Sequence, residues 1–184
     1  MSHTSEQYIK LLEDYIIDQS GLDVRKHENA GMFRYVPLRI DQFIEQLNIV
    51  SGFKDLPNEP KFVDVGCGIG QKLAILGWIY YRYKIYGIEY SKEYAKIAKA
   101  LVPKTTQIII ADAITQNYKI FDIIYFYCPC SDPEKEEALE KQIYKTAKPG
   151  AYILANAKRS PESVLEKHHI HRVWGRDIWQ KAKK

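Results

Sequence analysis

Apolar residues recur along this chain first at helical spacing and then in short runs. Tyr8, Leu11, Leu12, Tyr15 and Ile16 lie three and four apart, which predicts an amphipathic helix over about residues 5–19, ended by Gly21. Residues 21–36 show no period and read as a loop. Pro37 suits a first helical turn, and Ile40, Phe43, Ile44, Leu47 and Val50 continue as a second helical stripe to about residue 50. After a loop with Gly52, Pro57 and Pro60, the pattern alternates. Strands are predicted at 61–65, 84–88, 107–111, 121–127 and 151–155. Between them lie an almost wholly apolar helix at 70–82, a helix capped by Ser91 and closed by Pro103, and a charged helix from Asp132-Pro133 to Ala147.

Near-continuous apolar strands separated by helices predict a parallel sheet covered on both faces. The end of the chain has two readings. A short helix at 161–167 is followed either by an antiparallel hairpin, 169–174 with 177–182 turning at Gly175-Arg176, or by a single terminal helix; the hairpin is favoured. There is no internal repeat and no low-complexity tract.

Composition adds limits. The 184 residues are 46% apolar and 27% charged, as in an ordinary globular domain. No apolar stretch approaches the ~18–20 residues that span a bilayer, and MSHTSEQYIK lacks a signal pattern, so a cytoplasmic protein without membrane attachment is expected. Three cysteines, Cys67, Cys128 and Cys130, make a disulfide framework improbable.

The most informative segment is Phe62-Val-Asp-Val-Gly-Cys-Gly-Ile-Gly-Gln71, a strand running into a glycine turn and a helix. Its spacing is G-x-G-x-G, and Gln71 stands where a dinucleotide fingerprint wants a third glycine. Asp64, two residues before the first glycine, would repel a pyrophosphate but attract an ammonium. The run Asp64-Val-Gly-Cys-Gly-Ile-Gly70 resembles the first motif of the class I S-adenosylmethionine (SAM)-dependent methyltransferases. Glu89 after the second strand, 19 positions beyond Gly70, Asp112-Ala113 after the third, and Lys148-Pro-Gly150 before the fifth follow in the family's order, so the resemblance covers about residues 60–156.

That resemblance implies a three-layer α/β/α sandwich with a mostly parallel seven-stranded sheet, an antiparallel C-terminal hairpin and preceding N-terminal helices. It implies SAM as cofactor, held by Asp64, Gly66, Cys67, Gly68, Gly70, Glu89, Tyr90, Asp112, Ala113 and Tyr35. Asp64 would serve the amino-acid end, Glu89 the ribose hydroxyls and Asp112 the adenine. The domain expectation is a single unit over 1–184, with a helical cap (1–58), a SAM-binding core (59–156) and a basic segment completing the sheet (157–184).

The family places acceptor-facing residues at the end of the fourth strand, here Tyr127, Cys128 and Pro129. Cys128-Pro-Cys-Ser131 lacks the amide, second proline and aromatic of the adenine amino-methyltransferases, which disfavours base N-methylation. Arg34-Tyr-Val-Pro-Leu38 and Gly70-Gln71 resemble elements of the small seven-strand protein-lysine methyltransferases, which favours a protein amine. A small molecule, RNA and a non-catalytic SAM-binding adaptor stay open as alternatives, and so does the oligomeric state.

Other constellations read more plainly. No metal is expected, because three cysteines lack a fourth ligand at zinc spacing and His168, His169 and His171 lie far along the chain. A redox-sensitive thiol pair is the sharper hypothesis for Cys67, Cys128 and Cys130. Tyr80, Tyr81 and Tyr83 suit a core or partner surface better than base stacking. Helix 133–147 reads as a solvated face. The formal charge of +4 is uneven: residues 158–184 hold eight Lys/Arg against three acids, leaving 19 against 20 in the first 157. If an acidic partner exists, this Trp-containing segment is where it would bind.

Overall fold

The structure is a computed structural model, and it describes residues 40–183. The predicted helix at 5–19, the loop at 21–36 and Tyr35 lie outside the described residues. The chain runs through α1 (Ile40–Ser51), β1 (Lys61–Val65), α2 (Gln71–Ile79), β2 (Lys84–Glu89), α3 (Lys92–Leu101) and β3 (Gln107–Ile110). A 3₁₀ turn (Ala113–Thr115) precedes β4 (Ile123–Tyr127), α4 (Pro133–Thr146), β5 (Tyr152–Asn156), α5 (Glu162–Lys167), β6 (Ile170–Trp174) and β7 (Ile178–Lys181).

The seven strands form one sheet in the order β3-β2-β1-β4-β5-β7-β6. β1 to β5 are mutually parallel, with Asp64 opposite Gly87 on one side and Tyr125 on the other. β7 joins β5 antiparallel and β6 pairs with β7 antiparallel, so the end of the chain is a hairpin and not a terminal helix. The chain starts at β1, winds outward to β3, then returns to β4. The strand order therefore reverses between β1 and β4, and in an open α/β sheet ligands bind beyond the strand ends at such a point.

Side chains alternate across each strand, so each face carries its own core. Phe62, Ile85, Tyr125, Leu154 and Ile178 face one way and meet Phe43 and Leu47 of α1 and Leu73 and Leu76 of α2. Val63, Val65, Ile124, Phe126 and Ile153 face the other and meet Leu139, Ile143 and Tyr144 of α4 and Leu165 of α5. The result is three layers. α2 is shorter than its apolar run. Tyr80 N–H closes on the Leu76 carbonyl, Tyr83 N–H then turns back to the Tyr80 carbonyl, and Trp78 and Ile79 remain about half exposed.

Lys148-Pro-Gly150 has a structural use. Lys148 Nζ lies 2.5 Å from Asp122 Oδ1, and Asp122 Oδ2 accepts from the Lys61 amide at 2.8 Å. One carboxylate thus ties the starts of β1 and β5 together beside β4. The basic segment is likewise largely engaged. Lys158 and Arg172 lie 5.3 and 5.0 Å from the centroid of the buried Trp179 ring, Arg172 pairs with Glu162, and Lys183 lies 2.9 Å from Asp55. Among the described residues no helix is long and apolar enough to cross a membrane.

Candidate functional site

The glycine turn sits at the strand-order reversal and is fastened to its neighbours. Gly66 and Cys67 N–H groups both donate to the Ile88 carbonyl, at 2.8 and 3.1 Å. Glu89, which ends β2 and is buried, accepts from Gly68 N–H through Oε2 (2.8 Å) and from Ser91 N–H through Oε1 (2.7 Å). The acid and the loop thus hold each other; the Tyr90 amide adds a third backbone donor, and the carboxylate keeps acceptor capacity for one more. Burial pushes the Glu89 carboxyl upward, and its backbone hydrogen bonds offset part of that.

Gly66 is required twice over. Its φ is +73°, and a Cβ there would stand 2.4 Å from Pro129 Cβ. Replacing it by alanine should destabilise the protein by roughly 2–3 kcal/mol, from strain plus overpacking. Thermal melting checks this, and an unchanged midpoint would contradict the close approach. The same contact shows that the loop after β4 packs directly on the glycine turn. The residues that the family resemblance assigns to the donor and to the acceptor are therefore adjacent.

On the α1–α2 side, Asp64 is buried at 1% exposure, and neither carboxylate oxygen has a hydrogen-bond partner among the described residues. Lys72 Nζ lies 3.6 Å from Oδ2 and 5.4 Å from the centroid of the Tyr125 ring. Burial raises the Asp64 carboxyl to about 6 despite the Lys72 charge. Cys67 is also buried, and its side chain joins the core cluster beside Gly87 and Leu73. Its thiol also lies 3.9 Å from the Gly68 carbonyl oxygen of the turn.

Asp112 is exposed and caps the 3₁₀ turn, its Oδ1 accepting from Ile114 N–H at 2.9 Å. Ala113 is half-buried and its carbonyl accepts from the Tyr118 hydroxyl at 2.8 Å. Tyr90 is 72% exposed at the rim. Tyr127 ends β4 at the surface, 37% exposed.

The loop after β4 is held from beneath by residues that the sequence pattern assigns to a solvated helix face. Glu136 and Glu140 of α4 are fully buried. Glu136 Oε2 accepts from Cys130 N–H (2.7 Å), and Glu140 accepts from the amides of Arg159 (2.6 Å) and Ser160 (2.8 Å) and from the Tyr144 hydroxyl (3.3 Å). A signal existed: Glu136, Leu139, Glu140 and Ile143 share one i, i+3, i+4 stripe. Cys128 and Ala157, on the two loops so held, adopt φ of +42° and +53°, a strained region for residues with a Cβ. A second missed group is the amide cluster of Gln42, Gln46 and Asn156, which joins α1 to the end of β5.

The three cysteines are free thiols. Burial raises all three above the ordinary thiol range, Cys130 to about 12. Cys67 and Cys130 pack in clusters on opposite faces of the sheet. No group of three or more His, Cys, Asp or Glu among the described residues is arranged to hold a metal ion.

Burial likewise raises Glu136 to about 7. A carboxyl whose folded pKa exceeds its unfolded value stabilises the fold at low pH and loses that contribution as pH climbs through the folded value. For Asp64 the window runs from 3.8 to about 6, and for Glu136 from 4.5 to about 7. Stability should therefore fall across this range, and the Asp64→Asn, Glu136→Gln double variant should flatten the fall. Denaturant midpoints at pH 5 and 8 measure it, and parallel pH curves for both proteins would refute it.

These residues suit SAM. A buried carboxylate with no hydrogen-bond partner among the described residues fits an ammonium, Glu89 retains acceptor capacity for a hydroxyl, and a turn of three glycines in positive φ allows close backbone approach. Comparisons with known proteins agree. The "Methyltransferase domain" family matches residues 63–155, half of the chain. No curated protein matches. Among solved structures, a TehB-like SAM-dependent methyltransferase from Corynebacterium glutamicum is similar at TM-score 0.52 and 14% identity, covering 95% of this chain and 99% of that one. Phosphoethanolamine N-methyltransferase 2 of Haemonchus contortus, in complex with phosphomonomethylethanolamine and S-adenosylhomocysteine, is similar at TM-score 0.51 and 18% identity over 70% of this chain. A structure of that protein with SAM gives TM-score 0.50 and 16% identity. The chain spans 37% of the Haemonchus protein's length. With the family matched across the β1–β5 core and the seven-strand sheet in place, the chain belongs to the class I SAM-dependent methyltransferase family.

Proposed function

We propose that this enzyme methylates an amine, a protein lysine being the favoured acceptor, with the donor held at the glycine turn. The observation that carries the donor assignment is Glu89, whose two oxygens bind Gly68 and Ser91 N–H while keeping acceptor capacity for a ribose hydroxyl. In this reading Asp64 takes the α-ammonium, Gly66, Gly68 and Gly70 give backbone access, and Asp112 and Ala113 lie at the adenine end. Asp112 keeps its Oδ2 for the adenine amino group, since Oδ1 caps the 3₁₀ turn. Bound SAM supplies a methyl group already activated by a sulfonium, so the protein's part is positioning and desolvation.

The acceptor side is Tyr127, Cys128 and Pro129. A lysine amine must lose its proton before it can attack, and desolvation on entering the site would lower its pKa. Exposed Tyr90 and Tyr127 offer aromatic faces at the rim, which suit a cationic side chain on approach. Of the basic segment, Lys167 and Arg176 are exposed, so an acidic partner would meet the protein there.

Methyl-labelled SAM incubated with the enzyme and fractionated cell lysate tests the acceptor. Label is expected in protein and to survive as methyl-lysine after hydrolysis. Label confined to RNA or to small molecules would replace the protein amine, and no turnover despite SAM binding would make the chain an adaptor.

A further inference from the structure

Lys72 lies in the first turn of α2, and its ammonium stands 3.6 Å from Asp64 Oδ2. The two differ in exposure. The Lys72 side chain is 15% accessible, that of Asp64 1%. At 3.6 Å the pair is electrostatic, and both Asp64 oxygens still lack a hydrogen-bond partner among the described residues. A buried carboxylate left in that condition is costly unless something completes it.

Charge complementarity says what completes it. Asp64 and Lys72 together are neutral. An isolated ammonium brought to Asp64 is repelled by Lys72 and leaves the site with an excess positive charge. An α-amino acid end brings an ammonium and a carboxylate together, one for each member of the pair, and the site stays neutral. The lysine's four-carbon stem lets its ammonium turn from Asp64 to an incoming carboxylate, and it is the more exposed of the two side chains.

We propose that Lys72 reads the carboxylate of the methyl donor, so that Asp64 and Lys72 recognise its amino-acid end as a zwitterion. This rests on the SAM reading given above. It makes Lys72 a specificity residue that separates SAM from ligands carrying the same sulfonium, ribose, adenine and ammonium but no carboxylate.

Decarboxylated SAM is the probe. Calorimetry on the full chain should show wild type preferring SAM by at least ~10-fold, the worth of one charged hydrogen bond. In Lys72→Met the preference should collapse to under about twofold, and Lys72→Arg, which keeps the charge, should retain most of it. A melting curve on each variant confirms folding. If Lys72 only neutralises Asp64, Lys72→Met shifts both ligands by the same factor and leaves the ratio unchanged, which overturns the proposal. A wild type with no preference also overturns it while leaving SAM binding intact. A wild type that binds neither ligand removes the SAM reading and this inference with it.

Discussion

Glu89→Ala is expected to lower SAM affinity by about 100-fold or more. In the proposed binding mode a charged hydrogen bond to a ribose hydroxyl disappears, worth roughly 1.5–3 kcal/mol. The loss has a second source. Gly68 and Ser91 N–H groups, which Glu89 now satisfies at 2.8 and 2.7 Å, lose their acceptor, and the glycine turn loses its tie to the end of β2. Glu89→Gln separates the two effects, since an amide keeps one good acceptor for the loop but forfeits the charge. Its affinity should fall between wild type and Glu89→Ala. Calorimetry measures this, with melting temperature as the control for folding. Unchanged SAM affinity in Glu89→Ala would remove Glu89 from the site, and NAD binding in place of SAM would overturn the donor assignment.

Glu140→Ala is expected to be the most damaging change on α4, at about 3 kcal/mol, since it strands buried backbone donors and opens a cavity. Arg159 and Ser160 N–H both lose their acceptor, and the loop that carries the strained Ala157 loses its anchor. For a domain of this size the melting midpoint should drop by roughly 6–12 °C. Glu137, one turn away, is the comparison. It is half exposed and pairs with Lys141 at 3.5 Å, so Glu137→Ala should stay within about 0.5 kcal/mol of wild type. Equal effects from the two variants would show that Glu140 is not the anchor.

Glu137 and Glu140 belong to one helix and one run of charge, and this contrast shows where sequence reasoning stops. Alternation of Glu and Lys predicts a solvated helix, and the helix is there, with Asp132 as its cap. Which glutamate turns inward depends on what α4 packs against. Leu139 and Ile143 set the buried stripe, and the loops after β4 and β5 bring unpaired amides to the two glutamates that share it. Those amides come from residues 6 to 20 positions distant along the chain, beyond the reach of a helical period.

What the sequence by itself determined is local or ordered along the chain. Periodicity set the helices and strands. Five parallel strands and a terminal hairpin followed from apolar runs and turns, with boundaries moved by one to three residues where a turn redirects the backbone. The glycine turn and the ordered acids Asp64, Glu89 and Asp112 were legible because the motif lies in consecutive residues and each acid lies at or just beyond the C-terminal end of a strand. The tertiary structure decided every contact between those pieces. It placed Pro129 against Gly66, put Lys72 beside Asp64, turned the Cys67 thiol into the core, and used much of the basic segment to hold the sheet edge. The physical reason is that burial and pairing arise only when distant segments meet. A carboxylate is the same letter whether water or a buried amide is its partner, and only the packed fold chooses between them.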